Sequence, residues 1–427
     1  MQDVIAELRW RGLIHQTTDD ENLSEWLLAK SRTVYVGFDP TSDSLHVGNL
    51  MPLLMLRRFQ RAGHRPVALA GGATGMIGDP SGKSAERNLL SVDQLQQNLD
   101  RISGQLESIL DFENGATSAL LVNNFDWMRQ FNYLDFLRDI GKNFPVNVML
   151  AKDSVKGRLE RSDSGLSYTE FSYMLLQAYD FVHLHREHGC ELQVGGSDQW
   201  GNITAGIDLA RRMDSVQLFG LTCPLLTKSD GSKMGKTETG SVWLSPEKTS
   251  PYAFYQYWIN VADDDAGTCL RFLTEVEAEE VNSLDEKRRD EPHGRDTQRR
   301  LAEAVTRLVH GDSGLEAAQR ATGIFFGAEI TDWSDAMLLE VFTDVPCCEV
   351  SKSELEGGLT VVDAFVRGGL VKSKSDARRL LKQGGLYVNN RRVEEADATL
   401  TLTDLASETV IVLRSGRKKY ALLRVMA

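Results

Sequence analysis

The sequence predicts an α/β fold built on a parallel sheet, followed by an α-helical domain and a small α+β domain. Three observations carry that expectation. Thr33–Phe38, TVYVGF, has the length and β-branched, aromatic composition of a buried strand, and it runs through the turn-rich DPTSDS into the helical pattern of residues 50–61. The strand pattern returns at residues 66–69 before Gly71-Gly72 and at residues 192–194 before Gly195-Gly196. After about Ser250 strands fade, and amphipathic helical stretches such as residues 298–310 dominate until roughly Gly327. Strands alternating with helices imply a parallel sheet, which binds ligands at the carboxyl ends of its strands, where the turn-bearing and glycine-bearing loops fall.

A chain of 427 residues exceeds one ordinary core and divides into two or three domains. The boundaries expected are 1–230 for the sheet domain, 231–327 for a basic loop and the helices, 328–358 for a linker carrying Pro346 and ending at Gly357-Gly358, and 359–427 for the last unit. No apolar run approaches the roughly 18 to 20 residues that span a bilayer, which argues against a membrane protein. Residues 1–11 carry Asp3 and Glu7 among apolar residues and read as an amphipathic helix rather than a secretory leader. Cys190, Cys223, Cys269, Cys347 and Cys348 form no C-x-x-C pair and have no histidines at zinc spacing, so no structural zinc is expected and reduced thiols in a cytoplasm fit best. A formal net charge of -13 excludes indiscriminate nucleic-acid binding; any RNA contact needs a local basic patch.

Two segments suggest phosphate chemistry. His46-Val47-Gly48-Asn49 lies where the loop after the first strand enters a helix. Helix N-termini present unpaired N–H groups and positive potential, and Gly48 permits close approach to the backbone. An ordinary helix entry with a polar histidine accounts for these four residues equally well. Residues 228–237, KSDGSKMGKT, form a polar, glycine-punctuated loop whose Lys233 and Lys236 can close over a polyphosphate and stabilise transition-state charge. A solvated surface loop has the same composition. Residues 78–84, GDPSGKS, approximate a P-loop but place three residues, not four, between the glycines, so a P-loop is rejected and a generic ATPase stays a distant alternative.

Together, a His-x-Gly-(His/Asn) element and a Lys-Met-Ser-Lys-Ser-like element about a domain apart resemble the paired ATP signatures of class I aminoacyl-tRNA synthetases. Two departures stand out: Gly235 and Thr237 occupy the serine positions, and Asn49 replaces the final histidine. Residues 35–50 (YVGFDPTSDSLHVGNL), 71–87 (GGATGMIGDPSGKSAER), 173–180 (YMLLQAYD) and 193–203 (QVGGSDQWGNI) closely resemble the bacterial tyrosyl-tRNA synthetase family, and the likeness covers nearly the whole chain. The resemblance implies a Rossmann-like catalytic domain that activates L-tyrosine with Mg-ATP and transfers it to tRNA(Tyr), with no prosthetic group and no tightly held metal. It also implies a homodimer joined through residues 125–165.

The family's roles map residue by residue. Tyr35 and Asp180 resemble the pair that hydrogen-bonds the substrate phenol; Asp79, Tyr173 and Gln177, with Gln199 nearby, resemble the ammonium-binding group. Tyr173, Gln177 and Asp180 also fit one helix face, a spacing that core residues share. Gly37, Asp39, Gly48, Asn49, Gly196 and Asp198 resemble residues around the adenylate. Thr41, His46, Lys233, Lys236 and Thr237 resemble the catalytic group at the departing phosphates, with Lys83 and Arg87 as further donors.

Near the C-terminus, Ser375 is expected to cap a basic helix to about Gln383 that carries Arg378, Arg379 and Lys382. Gly384-Gly385 ends it, LYV starts a strand, and Asn389-Asn390 with Arg391-Arg392 forms a basic turn, followed by Arg414, Arg417, Lys418 and Lys419. A solvated helix face explains such a cluster by itself; within this chain it resembles the S4-like RNA-binding module of bacterial tyrosyl enzymes. Two rivals remain at this stage. A tryptophanyl enzyme shares the architecture, but an indole N–H can only donate, which suits Tyr35 and Asp180 less well than a phenol. A non-enzymatic S4-type RNA-binding protein leaves both ATP signatures unexplained.

Overall fold

The strand marked most clearly by the sequence sits at the centre of the first of two units. The computed structural model describes residues 1–81, 91–113, 115–152, 155, 156, 159, 166–237, 240–331, 333–343, 345–395, 397–417 and 419–426. Unit one comprises residues 1–250 and 254–311, and unit two residues 251–253 and 312–427.

The strands of unit one's main sheet are β1 (Gln16–Thr17), β2 (Thr33–Phe38), β3 (Arg65–Ala70), β4 (Leu120–Asn123), β5 (Cys190–Gly196) and β6 (Phe219–Cys223). They lie in the order β1-β6-β5-β2-β3-β4; all neighbours are parallel except β1, which pairs antiparallel with the β6 edge, and β7 (Lys236–Thr237) and β8 (Gly240–Ser241) pair antiparallel in a separate two-stranded sheet. Val34, Val36, Val67 and Val194 are almost fully buried, as expected when a parallel sheet is covered on both faces. Strand order reverses between β2 and β5. The chain leaves β2 through the helix Val47–Arg61 toward β3, whereas β5 leads through Trp200–Asp214 to β6 on the other side. A crevice opens at such a reversal.

The helix Tyr168–His188 precedes β5. A reciprocal capping box starts it: Ser167 Oγ accepts from the Glu170 N–H at 3.2 Å, and Ser167 N–H donates to the Glu170 carboxylate at 3.4 Å. Gly189, at φ 61°, ends it in the left-handed conformation. Met174, Ala178, Phe181, Val182 and Leu184 bury one side of the helix, and Asp180 is buried among them.

The helical part was expected to stand apart from about residue 231; through Gly311 it clusters instead with the sheet. Two buried arginines explain this. The Arg58 guanidinium donates to the carbonyls of Phe272 and Thr274, both at 2.9 Å, and Arg11 donates to those of Arg271 and Val276. Burial, with Arg11 nearby, lowers the Arg58 pKa to about 10, so it stays charged at neutral pH. Sequence periodicity does not reveal such side-chain-to-main-chain ties. Unit one ends at Gly311, whose φ of 71° breaks the helix Asp296–Ile324.

In unit two, β9 (Cys347–Ser351), β10 (Leu386–Val388), β11 (Arg391–Arg392), β12 (Val410–Ser415) and β13 (Lys419–Met426) form a sheet in the order β11-β10-β12-β13-β9. Residues 328–358, expected to be a linker, are part of this fold. β9 pairs parallel with β13, and Trp333, Leu338 and Phe342 share a core with Val410, Val412 and Tyr420. Pro346, within the expected linker, precedes the strand, and its carbonyl accepts from the Leu422 N–H. The basic helix is Lys374–Lys382, capped by Ser373 rather than Ser375: Ser373 Oγ accepts from the Asp376 N–H at 3.2 Å.

Asn389 and Asn390 turn β10 into β11 with φ of 48° and 63°, the left-handed pair that a two-residue hairpin requires. Both are buried. The Asn390 amide donates to the carbonyls of Ile324 and Ala328, and Asn389 bridges Asp404 and Val412. The expectation of an Asn-containing turn holds, yet the asparagines face inward and only the arginines face solvent. Asn390→Ala removes two buried hydrogen bonds and strains the turn, and is expected to lower stability by about 2–3 kcal/mol. Asn390→Gly keeps the conformation and is expected to lose less; urea unfolding of both variants measures the difference.

Candidate active site

At the β2/β5 reversal lies a cavity of about 520 Å³. Tyr35, Gly37 and Asp39 come from β2 and its exit; Gln193, Gly196, Asp198 and Gln199 come from β5 and its exit; Tyr173, Gln177 and Asp180 come from the preceding helix. Thr41, His46, Gly48, Asn49, Asp79, Lys233 and Lys236 complete the expected set on its lining. Of the remaining expectations, the Thr237 side chain, Lys83, Arg87 and Lys418 lie outside the described residues.

Four carboxylates, Asp39, Asp79, Asp180 and Asp198, line this space. Asp180 is 1 % exposed; its Oδ1 accepts from the Trp127 indole at 2.9 Å and its Oδ2 from the Asn124 amide at 3.0 Å. Burial pushes its pKa up to about 7 despite those two donors. The buried Tyr35 hydroxyl has no hydrogen-bond partner among the described residues; burial and the nearby Asp180 raise its pKa well above the usual tyrosine value. Asp39 Oδ1 accepts from Thr74 at 2.7 Å and Oδ2 from the Tyr173 hydroxyl at 2.9 Å. Tyr173, expected beside Asp79, is thus bonded to Asp39, while Asp79 accepts from Gln199 at 2.7 Å. The Asn124 amide also reaches Thr74 at 3.0 Å, so one chain of hydrogen bonds runs from Asp180 to Asp39. Burial, then Asp79, raises the Asp198 pKa, and Lys233 opposes the rise.

On the opposite flank the two basic signatures meet through main chain. His46 forms an isolated bridge with Trp243, Val47 N–H donates to Val242 at 3.0 Å, and Leu244 N–H donates to Leu45 at 2.9 Å. Asn49 closes the helix entry by accepting from the His46 N–H at 3.1 Å. Gly235 has a φ of 82°, and a Cβ there would meet the Val47 side chain at 3.1 Å. The positive φ and this tight contact both favour glycine at this departure from the family pattern. Burial, with smaller effects from Lys236 and Lys233, holds His46 below the usual imidazole pKa, so it is neutral at pH 7.

Asn124, Trp127, Thr74, Gln193 and Trp243 were missed. Asn124 and Trp127 follow the carboxyl end of β4, the one available pointer; the others carry no periodic or compositional mark.

The model for class I tRNA synthetases (W and Y) matches residues 29–327, and that for the tyrosine–tRNA ligase SYY-like C-terminal domain matches residues 338–423. The tyrosine–tRNA ligase of Rhodopirellula baltica is 61% identical over 99% of this chain and 96% of its own. The chain belongs to the tyrosine–tRNA ligase family. It is accordingly an enzyme, an aminoacyl-tRNA ligase that uses ATP to join tyrosine to tRNA. The tyrosine–tRNA ligase of Roseiflexus castenholzii is 50% identical over the full length of both chains. The C-terminally truncated mitochondrial tyrosyl-tRNA synthetase of Aspergillus nidulans superposes with a TM-score of 0.67 at 30% identity, over 74% of this chain and 92% of its own. Since the first model spans tryptophan and tyrosine enzymes together, full-length identity to tyrosine ligases decides between them.

The elevated Asp180 pKa has a measurable consequence. If Asp180 is the acceptor of the substrate's hydroxyl, it must ionise to take that hydrogen bond, and it then releases its own proton when tyrosine binds below about pH 7. Calorimetry in buffers of different ionisation enthalpy is expected to detect that release at pH 6 and to find none near pH 8.5.

Proposed function

We propose that Asp180 and Tyr35 recognise the phenol of tyrosine, the carboxylate accepting its O–H and the Tyr35 hydroxyl donating to its oxygen. The observation that carries this is a buried tyrosine hydroxyl beside a buried, already oriented carboxylate in the cavity that also holds both basic signatures. Asp79, Tyr173, Gln177 and Gln199 bind the ammonium group. The carboxylate of tyrosine attacks the α-phosphorus of ATP, which enters with magnesium on its phosphates; tyrosyl-adenylate forms and pyrophosphate leaves. Gly37, Asp39, Gly48, Asn49, Gly196 and Asp198 seat the nucleotide. Lys233, Lys236, Thr41, Thr237 and a neutral His46 donate to the departing pyrophosphate, so the rate comes from positioning and charge stabilisation.

In unit two, Arg378, Arg379, Lys382, Arg391, Arg392 and Arg417 are exposed and form the surface for tRNA phosphates, with Lys418 beside them in sequence. Arg379 and Arg391 also pair with Asp376 and Glu329. Arg414 stacks on Tyr387 with its guanidinium carbon 3.9 Å from the ring centre and serves packing instead. We further propose a homodimer through the exposed apolar residues Tyr133, Leu134, Val146, Val148, Leu150 and Tyr168, since solvated monomers rarely leave such clusters uncovered. No described helix is long and apolar enough to cross a membrane. Five free cysteines support the cytoplasm as its location.

Lys233→Ala and His46→Ala are expected to slow tyrosine-dependent pyrophosphate exchange by about 100-fold or more while changing tyrosine affinity little. Equal losses in both would contradict the assigned roles. The double variant Arg378→Glu, Lys382→Glu is expected to depress tRNA charging and leave exchange intact. Leu134→Asp is expected to shift the dimer toward monomer in light scattering.

A further inference from the structure

Trp127 is gripped at two places by a single helix. Its indole N–H donates to Asp180 at 2.9 Å, and its ring stacks on His183, three residues further along the helix Tyr168–His188, with centroids 4.2 Å apart and planes inclined by 21°. Residues at this spacing share a helix face, so the carboxylate takes the edge of the indole and the imidazole takes its face. Trp127 belongs to the short helix Phe125–Met128, which has little rigidity of its own. His183 is half-buried and lines a second cavity together with Asn123, Asp126, Glu187 and His188.

We infer that His183 is a positioning residue for amino-acid recognition: its ring, stacked on Trp127, keeps the indole N–H aimed at the Asp180 carboxylate. The inference rests on the reading of Asp180 as acceptor of the substrate phenol. If the stack is lost, the indole can tilt, and Asp180 keeps only the Asn124 amide as a donor. A carboxylate held by one bond instead of two meets the phenol less well and discriminates less against phenylalanine.

The charge environment makes this a ring-on-ring contact at neutral pH. Glu187, Arg186 and His188 act on His183 from its own helix, and Asp126 lines the same cavity from the helix of Trp127. Burial outweighs the favourable Glu187 and holds His183 below the usual imidazole pKa, so it is neutral at pH 7. Asp180 in turn faces Asp39 and Tyr35, and the indole N–H lowers its pKa. Losing that donor moves the Asp180 titration upward, whereas an uncharged aromatic replacement leaves it in place.

Pyrophosphate exchange by the full chain with tyrosine and with phenylalanine, measured against pH, tests the assignment. His183→Ala is expected to raise KM for tyrosine about 3- to 10-fold, the size of a lost aromatic stack, and to narrow the tyrosine-over-phenylalanine ratio by a similar factor. The pH midpoint of tyrosine KM is expected to move upward, with KM for ATP and kcat within about twofold of the parent. His183→Phe is expected to restore all of these. Should His183→Ala fold poorly, His183→Gln fills the space without a ring and carries the same expectation. An unchanged tyrosine KM and midpoint, a Phe variant no better than Ala, or an equal rise in KM for ATP overturns the inference. Asp180→Ala separates the two levels: if it leaves discrimination intact, the reading of Asp180 fails, whereas lost discrimination beside a silent His183→Ala defeats the inference alone.

Discussion

The reversal of strand order between β2 and β5 is the constraint on which the catalytic unit depends. Parallel strands need crossover helices, and when successive crossovers run to opposite sides of a starting strand the loops at the carboxyl ends diverge. The divergence creates the cavity and dictates its walls: the β2 exit, the β5 exit and the helix that feeds β5. Tyr35 lies in register with Gln193 across β2 and β5, so residues remote in sequence become neighbours by sheet pairing alone. The nearly full burial of Val34, Val36 and Val194 stabilises the frame that sets this geometry.

Within that frame the site carries an electrostatic cost. Asp180 titrates near 7 because burial penalises its charge more than two donors favour it. Such a group opposes stability above its ordinary carboxylate range: the unfolded chain ionises at lower pH than the folded one, so folding loses free energy as pH rises from about 4 to 7. What the strain maintains is an acceptor already pointed and desolvated. Asn124 and Thr74 connect the buried Asp180 to the half-buried Asp39, which Tyr173 also holds, so two carboxylates share one hydrogen-bonded scaffold. A polar network of this kind specifies one arrangement only when its members are satisfied.

The flank that carries His46, Lys233 and Lys236 follows a different logic, with exposed lysines on a loop fastened at its far end. The pairing of residues 45–47 with 242–244 joins the helix entry to the segment beyond the lysines, so the two signatures are mechanically one structure. Gly235 belongs to that fastening, since its left-handed backbone and its close approach to Val47 favour a residue without a side chain.

From the sequence alone came the fold class, the strands and their exits and the basic helix, because side-chain periodicity and turn chemistry are local properties, while most cavity residues were named through the family resemblance. Tyr35, Asp39 and Asp180 were legible through segments resembling a known family. Hydrogen-bond partners were not legible: the bond of Tyr173 to Asp39, the support of Asp180 by Asn124 and Trp127, and the inward turn of Asn389 and Asn390 depend on contacts between distant segments. Domain limits failed for the same reason. Residues 328–358 look like a linker until β13 supplies a partner for β9, and the helices after residue 231 look separate until Arg11 and Arg58 reach their carbonyls. The chain's local chemistry determined which elements form and which residues lie at their ends; only tertiary packing decided which groups hold one another, because a hydrogen bond's partner is set by proximity in space and not by order along the chain.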